Sequence, residues 1–259
     1  PTVLPTPRAC WRARGALLPQ RFKSRRQQIY ESSFLVIMLQ QPNVHYCHGL
    51  ESGPGGFKAR KLSEHFQVTS PDMKMSLWNP FAENSLVRNL VFRLRFPPSR
   101  ALFDSFEGCL DIQRLALAAR DQPPDVLVGS SWGGGVAAAL LAEGAYRGPF
   151  VLLCPAIGIR EQWVGADVNR PSLSLESISE NLANLPDEIK KCGLLVHGTA
   201  DGTVPIEHTR ALSERIGVEL LEVEDGSHGL GAWTASEGLR DAVLRVLRKT
   251  TNSSHNASS

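Results

Sequence analysis

The sequence lacks the features that would place it across a membrane or along a nucleic acid. No stretch approaches the ~20 apolar residues needed to cross a bilayer, and FLVIML, from Phe34 to Leu39, is too short. A formal charge of +2 on 259 residues, with the basic residues scattered beyond the first thirty, argues against a nucleic-acid surface. The chain is therefore expected to be soluble, with no nucleic-acid partner and no membrane span. Cysteine pairs are also missing: Cys10, Cys47, Cys109, Cys154 and Cys192 are odd in number, widely spaced and without a C-x-x-C. That pattern predicts free thiols in a reducing compartment and no disulfide framework or zinc site. Neither G-x-x-x-x-G-K-[ST] nor G-x-G-x-x-G occurs, so nucleotide binding is not expected.

One absence is local. From Pro1 to Tyr30 there is no Asp or Glu, while Arg8, Arg12, Arg14, Arg21, Lys23, Arg25 and Arg26 stand in a stretch interrupted by Pro5, Pro7 and Pro19. An acid-free, arginine-rich start has the composition of an organelle transit segment, and equally of a disordered extension outside the fold. Residues 1–40 are read as such an extension, 41–250 as one folded domain and 251–259 as a disordered polar tail. The compartment is expected to be cytoplasmic, or mitochondrial or plastidic if 1–30 are a targeting segment. The glycosylation-like triplets at Asn252 and Asn256 fall in that tail, where chance is the simpler reading.

What is present between these ends is an alternation of strand and helix. Strands are predicted over 43–49, 67–73, 125–130, 148–156, 193–198 and 218–224. Helices are predicted over 57–66, 106–120, 132–144, 207–216 and 235–249. Uninterrupted apolar strands separated by helices imply an α/β fold, a mostly parallel sheet covered on both faces. The stretch 75–100 exceeds what a strand-to-helix connection needs. It reads as a divergent crossover, with an edge strand in VRNLVFRLRF as the alternative. The segment Ile157 to Lys191 reads as a short lid, with Trp163 either lining a pocket or simply packing.

In such sheets reactive groups gather at the carboxyl ends of strands. There stands Gly129-Ser130-Ser131-Trp132-Gly133, which fits G-x-S-x-G at the junction of an apolar strand and an Ala-rich helix. The mechanism behind that motif is a tight turn that raises a serine hydroxyl, with glycines two positions away letting strand and helix approach. The same letters also build an inert Gly-rich turn. A serine needs a base, and the base needs an orienting acid, in the chain order serine, acid, histidine. Asp201 follows one buried strand and His228 follows the last; Asp201-Gly202 also fits an ordinary turn. Among the other histidines, His197 is expected to point into the sheet or support the acid loop, and His208 to lie on a helix surface. His45, His65 and His255 fall off any such constellation. For the oxyanion, the N–H of Trp132 and the N–H of Leu50, in the Gly-rich HGLESGPGG that follows the first strand, are the candidate donors.

These motifs, HGL, GSSWGG, HGTADGTVP and GSH over residues 43–250, resemble the α/β-hydrolase superfamily. The compact size and the HG…S loop are similar to small single-domain bacterial esterases of the YqiA type. The resemblance implies an α/β-hydrolase fold and a Ser131-Asp201-His228 triad. It implies an acyl-enzyme route on a small-molecule ester or thioester and no metal or organic cofactor. A non-enzymatic or very slow ligand-binding protein on the same fold is the alternative, and neither the acyl group nor the oligomeric state is encoded.

Overall fold

The structure, a computed structural model, describes residues 41–92, 98–158 and 171–256. The predicted extension 1–40, Phe34 to Leu39 and Trp163 lie outside the described residues. The sheet has six strands, β1 (Asn43–Cys47), β2 (Gln67–Thr69), β3 (Val126–Ser130), β4 (Phe150–Leu153), β5 (Gly193–Gly198) and β6 (Leu220–Val223). Their order is β2-β1-β3-β4-β5-β6 and every pairing is parallel, so all the strands end at one rim.

Why the central strands β3 and β4 are largely apolar follows from the two coats of the sheet. Along β3, Val126 and Val128 face one layer and Leu127 the other; in β4, Val151 and Leu153 alternate with Phe150 and Leu152. Period-2 geometry sends neighbours to opposite faces, so a strand buried on both must be apolar at every position. One face packs α1 (Phe57–Ser63) and the terminal helix through Ala59, Leu62, Leu239, Val243 and Val246. The other packs α2 (Pro98–Ala118) and α3 (Trp132–Ala142) through Leu102, Phe106, Leu110 and Val136, with the Phe106 ring edge-on to Trp132 at 5.4 Å. Each fully buried Leu, Val or Phe contributes about 1.5–3 kcal/mol relative to exposure.

Several elements differ from the expected spans. β2 stops at Thr69 instead of running to residue 73, where Pro71 removes a ladder donor. The α2 helix begins eight residues earlier than predicted, on Pro98, whose fixed φ suits a first helical turn. The connection 75–92 contains no strand; it ends in a π-helical turn, Arg88–Phe92, and is pinned by Asn84 Nδ2 donating to the Met73 carbonyl (2.7 Å) and by Asn89 bonding Ser105 (2.7 Å). Of the segment read as a lid, residues 171–191 carry a 3₁₀ turn (Pro171–Leu173), α4 (Leu175–Ala183) and α5 (Asp187–Lys191). Ile178 and Leu182 of α4 join the core cluster shared with α3 and α6 (Ile206–Ile216), so this part is the crossover from β4 to β5. The closing helix is split: α7 (Gly231–Ala235) and α8 (Gly238–Asn256) meet at Glu237, whose φ of 70° is left-handed and interrupts the run. α8 continues past the expected end at 250 as far as Asn256, and 257–259 are outside the described residues.

Candidate active site

The strand order reverses between β1 and β3, and the loops leaving these two strands enclose a crevice at the rim. Ser131 sits at the head of α3 with φ 56° and ψ −118°, a conformation that costs a non-glycine residue about 1–3 kcal/mol. Neighbours impose it. The Ser131 N–H donates to the Leu153 carbonyl at 2.8 Å, and the Ser131 carbonyl accepts from Ala156 N–H at 3.0 Å and Gly135 N–H at 3.1 Å. A methyl group on Gly129 would lie 2.6 Å from the Gly133 carbonyl oxygen and 2.7 Å from Ala137 Cβ, so strand and helix meet here only because a side chain is missing.

The three side chains singled out in the sequence converge. His228 Nε2 lies 2.8 Å from Ser131 Oγ, and His228 Nδ1 lies 2.7 Å from Asp201 Oδ2. Since an ionised carboxylate only accepts, Nδ1–H donates to Asp201 and Nε2 is left to accept from the Ser131 hydroxyl. The Asp201 side chain is shut off from solvent. Burial alone would push its carboxyl up, but His197, His228 and the N–H groups of Val204 (3.0 Å) and Thr203 (2.8 Å) all donate to it and hold it well below the usual carboxylate range.

His197 supports this acid. Its Nε2–H faces both Asp201 Oδ2 (3.2 Å) and the Val204 carbonyl (3.0 Å), while Nδ1 accepts from the Thr209 hydroxyl of α6 (2.8 Å). The acid and histidine loops are tied together as well: Ala200 N–H donates to the Gly226 carbonyl and Asp225 N–H to Thr199 Oγ1, both at 2.9 Å. His208 departs from the surface position expected of it. It is half-buried, with Nδ1 closed off from solvent and its ring against Gly158. His45 is a core group: its ring bonds Gln113 Oε1 at 2.7 Å, and burial lowers its pKa to about 4.

On the β1 side the Gly49 carbonyl accepts from His48 Nδ1–H (2.9 Å), Ser52 Oγ–H (2.9 Å) and Ser52 N–H (3.3 Å), while His48 Nε2 accepts from Met73 N–H (3.0 Å). In a trans peptide a carbonyl held on one side turns the following Leu50 N–H to the other. Leu50 shares with Ser131 and His228 a cavity of about 360 Å³. Trp132 opens α3, where the first N–H groups of a helix have no intrahelical partner. Tyr46, Ser130 and Lys58 also line the cavity; the sequence reading assigns none of them a site role, although Lys58 lies two residues after the glycine loop. A second hollow, of about 460 Å³ between Pro54 and Ser70, is lined by no nucleophile–base pair.

Among the described residues, two clusters bring three possible metal-ligand atoms within 4.8 Å of one another, Cys154-His197-Asp201 and Glu64-His65-Glu237. In the first, His197 and Asp201 already satisfy each other, and burial pushes the Cys154 thiol up to about 12, which keeps it protonated. In the second, His65 meets Glu237 at 2.8 Å on the surface.

No known family model matches the chain. Solved structures do resemble it. TT1662 from Thermus thermophilus is 18% identical with a TM-score of 0.57, over 80% of this chain and 89% of that one. Est1E from Butyrivibrio proteoclasticus is 15% identical with a TM-score of 0.52, over 80% and 88%. The esterase domain of a Rhodothermus marinus protein is 14% identical with a TM-score of 0.51, over 79% and 86%. With the all-parallel sheet and the strand-serine-helix turn, these likenesses define the chain's fold as that of the α/β hydrolases. At such identities the likeness concerns the fold, and the chemistry has to be argued from the site.

Proposed function

We propose that the protein is a serine hydrolase that cleaves a small carboxylic ester or thioester through an acyl-enzyme. The observation that carries this reading is the position of one imidazole, His228, within hydrogen-bond distance of a strained serine on one side and a buried, ionised aspartate on the other. Ser131 Oγ attacks the substrate carbonyl while His228 Nε2 takes its proton. Asp201 stabilises the imidazolium, and the N–H groups of Leu50 and Trp132 receive the oxyanion. His228 then gives the proton to the leaving oxygen or sulfur. Water repeats the attack with His228 as base, releasing the acid and restoring Ser131 Oγ–H.

The test is turnover of a chromogenic short-chain ester, together with labelling by a fluorophosphonate. Native protein is expected to do both. Ser131→Ala should abolish labelling and lower kcat by a factor on the order of 10⁶, by analogy with protease triads, with an unchanged circular dichroism spectrum. A native protein that neither labels nor turns over an ester overturns the reading and leaves a ligand-binding role on this fold.

A further inference from the structure

Lys58 stands in the second position of α1 and lines the cavity that holds Ser131 and His228. Apart from His228 it is the one ionisable Lys, Arg, Asp or Glu among the described residues of that lining. Other lysines reach carboxylates: Lys61 meets Glu64, Lys74 meets Glu83, Lys190 meets Asp187 and Lys249 meets Glu219. Lys58 is half-buried, yet among the described residues it has no hydrogen bond and no ion pair.

The Lys58 side chain is half-buried with no counter-charge among the described residues, and burial lowers its pKa. Among the described residues, no carboxylate lines the cavity. The neighbouring Cys154 is a protonated thiol, and both Asp201 oxygens are already filled by four donors. A cation left unsatisfied beside a nucleophile, in a cavity lined by no carboxylate, is a group awaiting an anion from the ligand.

We propose that Lys58 determines specificity here by pairing with a carboxylate carried by the substrate, which makes the substrate class a half-ester or half-thioester of a short dicarboxylic acid. A single ammonium, without an arginine fork in the lining, matches one carboxylate better than a phosphate dianion, which is met by several donors. A cavity of about 360 Å³ accommodates an acyl chain of a few carbons. This inference rests on the serine-hydrolase reading.

The experiment compares 4-nitrophenyl hemiglutarate with 4-nitrophenyl pentanoate, two esters of equal acyl length that differ by one carboxylate. Native protein is expected to favour the hemiglutarate in kcat/KM by about 10- to 100-fold, the range of a hydrogen bond to a charged group. Lys58→Met should bring that ratio close to one and Lys58→Arg should keep most of it, with thermal unfolding reporting that each variant folds. Calorimetric binding of hemiglutarate ester to Ser131→Ala protein, with and without Lys58→Met, gives the same answer without turnover. Equal ratios in native and Lys58→Met protein, or loss of both esters in parallel, overturn the proposal, as does inorganic phosphate competing more strongly than glutarate. Failure of native protein to label with fluorophosphonate strikes the hydrolase reading instead, and the calorimetric arm still decides the role of Lys58.

Discussion

Two regions of this site hold their residues in place by opposite means. Around Ser131 the constraint is steric: Gly129 sits where any side chain would collide with α3, and the serine backbone is forced to a positive φ between β3 and α3. Around Asp201 and His228 the constraint is polar. Two imidazoles and two backbone amides converge on one carboxylate, while Gly202 and Gly229 have open space around them. Ser131 is thus fixed by the exclusion of volume, and Asp201 and His228 by directed hydrogen bonds that a loop can bring from a distance. In the proposed mechanism, rigid packing suits a serine that attacks along one line, and hydrogen bonds suit an imidazole that changes charge against a fixed carboxylate.

Breaking the polar region is expected to have the largest effect. Asp201→Asn leaves the shape intact but favours the wrong His228 tautomer, and kcat for an ester should fall about 10⁴-fold. The same variant carries a pH signature. Because the folded Asp201 carboxyl lies below its ordinary value, the stability it lends is present in full above the unfolded value of about 3.9 and is lost as pH falls from there toward the folded value. Urea unfolding of native and variant protein should therefore differ at neutral pH and converge as the solution is acidified into and below that range. A difference that persists unchanged at low pH would contradict the assigned ionisation.

Breaking the steric region should appear in stability. Gly129→Ala is expected to cost about 3 kcal/mol, the upper end for overpacking, because the nearest atoms belong to the helix backbone and to Ala137. Gly202→Ala and Gly229→Ala should stay within about 0.5 kcal/mol of native. Denaturant melts that rank the three substitutions equally would dissolve the contrast between the regions. The smallest effect sharpens it: Ser131→Gly should be about 1 kcal/mol more stable than Ser131→Ala, since glycine tolerates φ 56° and alanine does not. Equal stability of those two inactive proteins would show that the turn stores no strain.

Much of this arrangement was legible before any coordinates. The strands β3, β4 and β5 are short, largely apolar runs because both faces are covered, and they stand out from the amphipathic α4 and α6, whereas α3 is itself buried nearly all round. Ser131 was marked by its glycines, and Asp201 and His228 by chain order and loop setting. The elements that escaped had weak or misleading signals. Pro98 hides the start of α2, Glu237 gives no hint that it breaks the last helix, and the amphipathic α4 lies in a segment whose length suggested a lid. Lys58 escaped because a lysine on a short helix is ordinarily a solvated surface group, and nothing local says that it lines the cavity of Ser131 and His228.

By itself, the sequence determined the period of each element, the turn that only glycines permit, and which residue types could take part in acyl transfer, because these depend on neighbours a few positions apart. Tertiary structure alone decided that His228 meets Ser131 and Asp201, and that Lys58 lines their cavity without a counter-charge among the described residues. The His228 contacts join loops 27 and 97 residues apart in the chain, set by strand order and sheet twist, and no local pattern records them.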